Sequence, residues 1–492
     1  MVIRVLLIGL LGILWIVHLL KQFGVRRQRP PGPSVLTVLG AILLNGFQFR
    51  EDTFIKLGRP YGNIYSLWLG TYFVVVLSGF QAVKEGLIDH AEELSERPLT
   101  PLLKVIGKEK GIVFSNGHTW KQQRRFGVVT MRKLGLGRKG MERQIEEEAR
   151  QLVNDFASTE GQPFDPSSFL TSSVSNVICA VTFGYRFSPE DKFFKELMKS
   201  VEVGLRLGFT IFHFVYEIIP QIMDHLPGPH NKVFAAIDML FSLAQKEIKR
   251  HKEQHSFHEP QDFTDFYLLQ MERSSKDPSS TYDEENLAQC ITDFFVAGTE
   301  TTMTSLKWAL LLLTKHPDIQ DKVHKEIEET FGSHAISYQD KRKLPYTNAV
   351  IHEIQRSRYT FLYGLPRQCT KDMTIQGFFI PKSTMIIPDL RSVLQDPEHW
   401  ETPHEFSPNH FLDKDGNFVA REEFLAFGAG TRACLGEQLA QMEIFLFLTS
   451  LLQVFRFQRP EGVKELSQDS IAGLTAQPQP YKICAVPRCT SS

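Results

Sequence analysis

The feature that most constrains this chain is the stretch Glu284–Lys315, where apolar character dominates with few interruptions. Such a stretch predicts a long helix that other elements must surround, because so little of it is fit to face water. It is not a membrane span: Asp293, Glu300, a threonine cluster and Lys307 interrupt it. A helix crossing a core needs a large body around it, and 492 residues at 42% hydrophobic content are enough to build one. Length alone points to about three domains, yet no long flexible linker divides the sequence. Further helical patterns cover residues 142–158, 167–183, 191–205, 230–254, 318–331 and 345–358. Two short β-rich runs, 64–69 and 71–77, flank Gly70 as a hairpin. Helix dominates before about residue 360 and short strands and loops after it, with no repeat and no βαβ rhythm. The expected class is mainly α, an α-rich α+β domain.

Composition excludes more than it selects. With 55 basic against 56 acidic residues, nothing global points to nucleic acid or another polyanion. The 38 phenylalanines suit an apolar cavity and an ordinary core about equally. Six cysteines, at 179, 290, 369, 434, 484 and 489, include no C-x-x-C, so neither a disulfide framework nor a structural zinc site is expected.

The N-terminus reads as an address. Residues 5–20 are almost continuously apolar, with Arg4 before them and Lys21, Arg26, Arg27 and Arg29 after. The heavier positive charge follows the run and no small-x-small cleavage site is evident, so the segment is expected to be retained as a single span. The same bias puts the rest of the chain on the cytoplasmic side. The expected division is an anchor with its basic flank over 1–28, a proline-rich hinge over 29–34 and one catalytic domain over 35–492. The apolar stretch 207–220 could dip into a bilayer, cover a pocket or simply pack.

Chemistry concentrates in residues 424–436, F-L-A-F-G-A-G-T-R-A-C-L-G. Gly428, Gly430 and Ala433 match G-x-G-x-x-A, but the strand candidate before them is very short. Only about 60 residues remain after them, too few for the rest of a dinucleotide-binding fold. A helix is expected from near Leu435, placing Cys434 at its N-terminus, where free N–H groups and the helix dipole favour thiolate. A buried structural cysteine, a nucleophile and an axial thiolate for haem iron all stay open here. In the long helix, A-G-T-E-T-T begins at Ala297; small Gly298 is expected to open space for a bulky planar ligand, and Glu300 with Thr301 to deliver protons through water. Glu353 and Arg356, three apart on one helix face, form either an exposed ion pair or a buried node of the fold. Trp120 and Arg124 share a face of a basic helix.

Taken in order, these elements resemble a microsomal cytochrome P-450 monooxygenase of family 2, over essentially the whole chain. The carriers are the basic-flanked anchor with Pro-Pro-Gly-Pro33, Trp120-x-x-x-Arg124, the A-G-T-E-T-T run, Glu353-x-x-Arg356 and Phe427-x-x-Gly430-x-Arg432-x-Cys434-x-Gly436. The resemblance implies Cys434 as proximal ligand of haem b, and Arg97, Trp120, Arg124, Arg367 and Arg432 as contacts of its propionates. It implies Glu300 and Thr301 in distal proton delivery, and Glu353 with Arg356 in the structural core. His410 stands where many relatives have a meander arginine, which implies a modified network. The implied substrate wall includes residues 100–114, Phe209, Phe294, Ala297, Phe361, Leu362, Tyr363 and Leu474, with bulky residues 359–364 narrowing the pocket.

The implied reaction places one atom of O2 on a lipophilic substrate, by hydroxylation or epoxidation of fatty acids such as arachidonate, steroids or xenobiotics. Electrons would come from NADPH through NADPH–cytochrome reductase, in some relatives through cytochrome b5, at the cytoplasmic face of the endoplasmic reticulum bilayer. A haem-thiolate isomerase needing no reductase, and a non-catalytic membrane haem or lipid carrier, are the rival readings.

Overall fold

The computed structural model describes residues 29–44, 53–135, 139–204, 211–254, 259–361, 363–471 and 473–488. The expected anchor over 1–28 and the substrate-wall candidates Phe209 and Leu362 lie outside them. Among the described residues no helix is long and apolar enough to cross a membrane.

Seven helices position the site: α1 (Gly117–Lys133), α2 (Lys139–Ala157), α3 (Ser167–Phe183), α4 (Pro229–Gln254), α5 (Glu284–Lys315), α6 (Pro345–Ser357) and α7 (Glu437–Val454). The expected central helix is α5. Its start is fixed by Asp283, whose carboxylate accepts the Asn286 N–H at 2.7 Å, and by Glu284 and Glu285 in the first turn, where negative charge suits the dipole. It packs against α3, α4, α6 and α7. Leu306, Trp308 and 310–313 at its C-terminal half are all buried, and this is the centre of the main core. Gly298 does not open space for a ligand, as the sequence led us to expect. A Cβ there would stand 2.6 Å from Ile178 Cδ1, so the glycine lets α3 approach α5 closely.

The smaller β portion is a four-stranded sheet made from β1 (Ile64–Leu69), β2 (Tyr72–Leu77), β3 (Arg367–Gln368) and β4 (Met385–Pro388), in the order β1-β2-β4-β3. The hairpin is antiparallel with Leu69 opposite Tyr72, and Gly70 takes φ 59° in its turn. β4 runs parallel to β2, with Val74 opposite Met385. The implied wall segment 100–114 contains the helix Pro101–Gly107. Thr100 caps it through an accepted Leu103 N–H, and proline occupies its first turn. The proline-rich stretch is bound to the body. Ser66 donates its N–H to the Pro31 carbonyl at 2.7 Å and its hydroxyl to the Pro30 carbonyl at 2.8 Å, and any side chain at Gly32 would collide with the Ser66 carbonyl.

Candidate functional site

The cysteine loop is shaped by close approaches. Gly430 takes φ 72°, and a Cβ there would run into the Leu87 carbonyl, so only glycine lets this loop lie against the helical turn Glu85–Asp89. The Cys434 N–H donates to the Phe427 carbonyl at 2.9 Å, closing the loop just before α7 begins at Glu437. Cys434 has an accessible side although protein surrounds it, so it fronts a space within the fold. Burial pushes its thiol up to about 11, against the pull of the Gly436 and Glu437 amides and of Arg124; Glu437's charge adds to the rise. The amides are the donors expected at a helix start. They do not by themselves hold a thiolate, and a coordinating cation would.

Next to the loop lies a concentration of positive charge with no acid in ion-pair contact among the described residues, Glu96 acting on Arg432 only through its charge at longer range. Arg432 is held by carbonyls: its Nε donates to Ser95 at 2.6 Å and its Nη2 to Ser115 at 2.7 Å, with Trp120 stacked 3.9 Å from the guanidinium carbon. Arg97 donates to the carbonyls of Pro366 at 2.8 Å and Leu365 at 3.2 Å. Arg124 donates to the Ala433 carbonyl at 2.6 Å. Arg367 is buried with one nitrogen, Nη1, lacking any partner, and the buried Trp120 Nε1 also donates to nothing. None of the four arginines forms an ion pair among the described residues. Burial lowers the Arg432 guanidinium to about 8, with repulsion from Arg367 and Arg124 adding to it, and lowers Arg367 to about 10. Four cations gathered without a carboxylate, two of them beside idle donors, form a receptor for a ligand with more than one negative charge.

Across the fold, α5 contributes Ala297 and Thr301, both partly accessible in the middle of an otherwise buried helix. The Thr301 hydroxyl donates to the Ala297 carbonyl at 2.6 Å. Glu300 points elsewhere. Its Oε1 accepts from the Thr475 hydroxyl at 2.9 Å and the Gln477 amide at 2.5 Å, so it holds the C-terminal loop against α5. The same loop is fastened by Trp308 Nε1 donating to the Ala476 carbonyl at 2.7 Å and by the Ala476 N–H donating to Thr360 at 2.7 Å.

Glu353 and Arg356 on α6 are both 0% exposed and joined by two 2.7 Å hydrogen bonds. Arg356 also donates to the carbonyls of Leu394, Pro403 and Glu405 at 2.8 to 2.9 Å. Glu353 accepts the Ser407 N–H at 2.9 Å and meets His410 Nδ1 at 3.1 Å. His410 Nε2 in turn meets the Thr402 hydroxyl at 3.0 Å, so the histidine is a full member of the node.

An apolar cavity leads inward from the β1–β2 turn and the helix Ile211–Ile218. It passes Leu103 and Phe114 and ends at Val296 and Leu474, beside Ala297. Its lining does not include Cys434 or Thr301.

The family model for cytochrome P450 matches residues 30–485. The chain is 40% identical over 488 residues to cytochrome P450 2J2 of Homo sapiens, spanning 99% of this chain and 96% of that protein. It is 39% identical over 485 residues to cytochrome P450 2C26 of Mesocricetus auratus, spanning 98% and 99%. Cytochrome P450 2D26 of Mus musculus is 41% identical over 474 residues, spanning 94% and 95%. The chain is a cytochrome P450 of family 2. Its cofactor is haem and its reaction class is haem-thiolate monooxygenation.

In this P450 the residues singled out by sequence divide into groups. Arg432 touches Trp120 and Arg367, Arg97 shares the Val113 carbonyl and Asn116 Oδ1 with Arg432, and Arg124 bonds the carbonyl next to Cys434. Glu353 and Arg356 form the buried node. Of the substrate-wall candidates, Leu474 and, from residues 100–114, Thr100, Leu102, Leu103, Ile106 and Phe114 line the cavity; Ala297 does not, although its chain neighbour Val296 does. Three others stand away from this cavity. Tyr363 packs into a buried cluster, its ring 4.1 Å from that of Phe54. Phe294 stacks edge-on at 4.8 Å with Phe263. Phe361 bridges to Thr475 and leans on the smaller core. Tyr359 is buried too, so of the described residues in 359–364 only Gly364 reaches the cavity. Sequence reasoning missed Tyr72, His213 and Glu217, which line the cavity from a strand and a helix. Their only signal was polarity inside apolar stretches.

Proposed function

We propose that this P450 oxygenates lipophilic molecules that enter through the cavity, with Cys434 as the iron ligand and Arg97, Trp120, Arg124, Arg367 and Arg432 holding the haem propionates. The observation that carries the assignment is the group of four arginines without ion-pair partners, Arg97, Arg367 and Arg432 buried and Arg124 half-buried, with idle donors on Arg367 and Trp120, beside the cysteine loop. Two propionates supply the missing charge. Bound haem supplies dioxygen activation, two electrons and two protons being consumed as one oxygen atom enters the substrate and the other leaves as water.

The chain's own residues do the rest. The Gly436 and Glu437 amides and Arg124 stabilise negative charge on the Cys434 sulfur. Thr301 holds a proton on Oγ1 at the accessible face of α5. Glu300, expected from sequence to deliver protons beside Thr301, is instead turned to Thr475 and Gln477, so its role is to brace the C-terminal loop against the turn of α5 that carries Thr301. Apolar walls exclude water from the substrate route.

Electrons are proposed to reach the enzyme from NADPH through its reductase, with cytochrome b5 as a second donor. The exposed bases Lys121, Arg125, Arg132 and Lys133 on α1 are the docking surface for these acidic partners. The enzyme is proposed to sit on the cytoplasmic face of the endoplasmic reticulum, anchored by 1–28, with 35–492 as one catalytic domain. Exposed Phe212, Ile218, Ile219, Ile222 and Leu226 would face the bilayer beside the cavity. Substrates are drawn from fatty acids such as arachidonate, steroids and xenobiotics.

The test is reconstitution with reductase, NADPH and lipid under 18O2, against a mixed library of these classes. Label in the product together with NADPH consumption is expected. Rearranged product without NADPH would point to an isomerase, and ligand binding without turnover to a carrier. Cys434→Ala is expected to abolish the reduced carbon-monoxide band of thiolate-ligated haem; its survival would refute the ligand assignment.

A further inference from the structure

Apart from Thr71 in the β1–β2 turn, the cavity is apolar except at one place. There, four polar side chains meet: Tyr72, Thr100, His213 and Glu217. Glu217 lies on the helix Ile211–Ile218, and its side chain is only 10% exposed. Its Oε1 is engaged, accepting the Thr100 hydroxyl at 2.7 Å and lying 3.4 Å from His213 Nε2. Its Oε2 is buried and accepts from nothing. Among the described residues no lysine or arginine lines the cavity. Tyr72, whose hydroxyl is pushed up by burial and then by Glu217's charge, is the remaining titratable neighbour.

A carboxylate oxygen that has lost water and gained no donor is costly, and a buried acid with one idle oxygen is a group waiting for a donor. Among the described lining residues none donates to this oxygen and none is a lysine or arginine, so the fitting donor is one that arrives with the ligand. We infer that Glu217 is a substrate-recognition residue, and that the cavity selects lipophilic molecules carrying a protonated amine, whose N–H binds Glu217 Oε2. The apolar body of such a ligand lies against Leu103, Phe114 and Val296, towards Ala297 and Leu474. A fatty-acid carboxylate in the same cavity meets an acid of its own sign, so anionic lipids are discriminated against. The inference rests on the reading of this cavity as the substrate route, and it narrows the substrate class that the reading left broad.

Three ligands of matched shape test it on the haem-loaded enzyme: a bulky tertiary alkylamine, its neutral carbon isostere and the corresponding carboxylate. Equilibrium dialysis gives each Kd, and the haem absorption band reports whether the ligand reaches the iron pocket. In the wild type the amine is expected to bind about 10- to 100-fold more tightly than the isostere, the range of one charge-assisted hydrogen bond. Glu217→Gln, with the reduced carbon-monoxide band as its check on folding, is expected to remove that preference by weakening the amine and leaving the isostere within about twofold. Equal binding of amine and isostere by the wild type overturns the inference without any variant, as does an amine preference that survives Glu217→Gln. If all three ligands bind but none perturbs the haem band, the cavity is not the substrate route. If they perturb it equally, the route stands and Glu217 is not its selector.

Discussion

The Glu353–Arg356 node makes a prediction whose size can be worked out from its contacts. In Glu353→Leu, Arg356 keeps its three carbonyl acceptors but loses its only counter-charge in a site where neither residue is exposed. In Arg356→Met, Glu353 keeps only the Ser407 amide and His410 beside it, and three carbonyls lose their donor. Breaking a buried pair from one side costs about 3–5 kcal/mol, because the surviving charge cannot be rehydrated. Independent effects would therefore sum to about 6–10 kcal/mol in the double variant. The effects are not independent. Each single change strands one charge, and the double change strands none. The Glu353→Leu/Arg356→Met variant is expected to fall at least ~2 kcal/mol short of the sum. Urea unfolding of the haem-loaded enzyme, followed by far-ultraviolet circular dichroism and by the haem band, measures all four corners. Additivity within about 0.5 kcal/mol would refute the claim that charge isolation dominates, and would leave the lost carbonyl hydrogen bonds as the main cost.

Three further expectations follow from the site and its surroundings. Thr301→Val should lower product formed per NADPH by on the order of 10- to 100-fold while leaving substrate Kd unchanged; an undiminished ratio would remove its hydroxyl from the proton route. Gly430→Ala, which would force a Cβ into the Leu87 carbonyl at φ 72°, should fail to retain haem when expressed at the wild-type temperature, as read by the ratio of haem to protein absorbance. The third concerns His251. Burial pushes its imidazole down, but the hydrogen bond and charge of Asp262 at 3.1 Å outweigh that and raise it overall. A histidine raised on folding lends stability below its ordinary value of about 6.5, and that stability is lost as pH rises through the raised value. Asp262→Asn keeps the helix cap over the Asp265 N–H but removes the charge. The variant should therefore be more destabilised at low pH than at high pH, and a stability deficit independent of pH would refute the coupling.

Much of the fold was legible because it depends on local pattern. Ser167–Phe183 and Glu284–Lys315 are bounded in the structure where their apolar periodicity begins and ends, and Gly70 marked its hairpin. The cysteine loop was legible for another reason: Gly430 tolerates no side chain, so the sequence there records the backbone directly. What stayed hidden depends on direction in three dimensions. Glu300 and Thr301 are neighbours in sequence, yet one faces the C-terminal loop and the other an open space, because adjacent residues on a helix point about 100° apart. Gly298 looked like room for a ligand and is room for Ile178. Tyr363 looked like a pocket wall and packs on Phe54, and Glu217 showed no sign in sequence of facing hydrocarbon. The arginine group was traceable only through resemblance, since its members come from four separate segments that folding alone brings together.

The grip of Ser66 on Pro30 and Pro31 has a mechanical consequence. Ser66 sits in β1, and the far end of that strand turns at Leu69 and Gly70, which form part of the cavity mouth. The proline strap and the doorway are thus two ends of one short, stiff lever. Whatever fastens the strap also fixes the direction in which the doorway opens, and a load on the strap is felt first at the threshold. A tether of this kind would both hold the enzyme in place and aim its entrance.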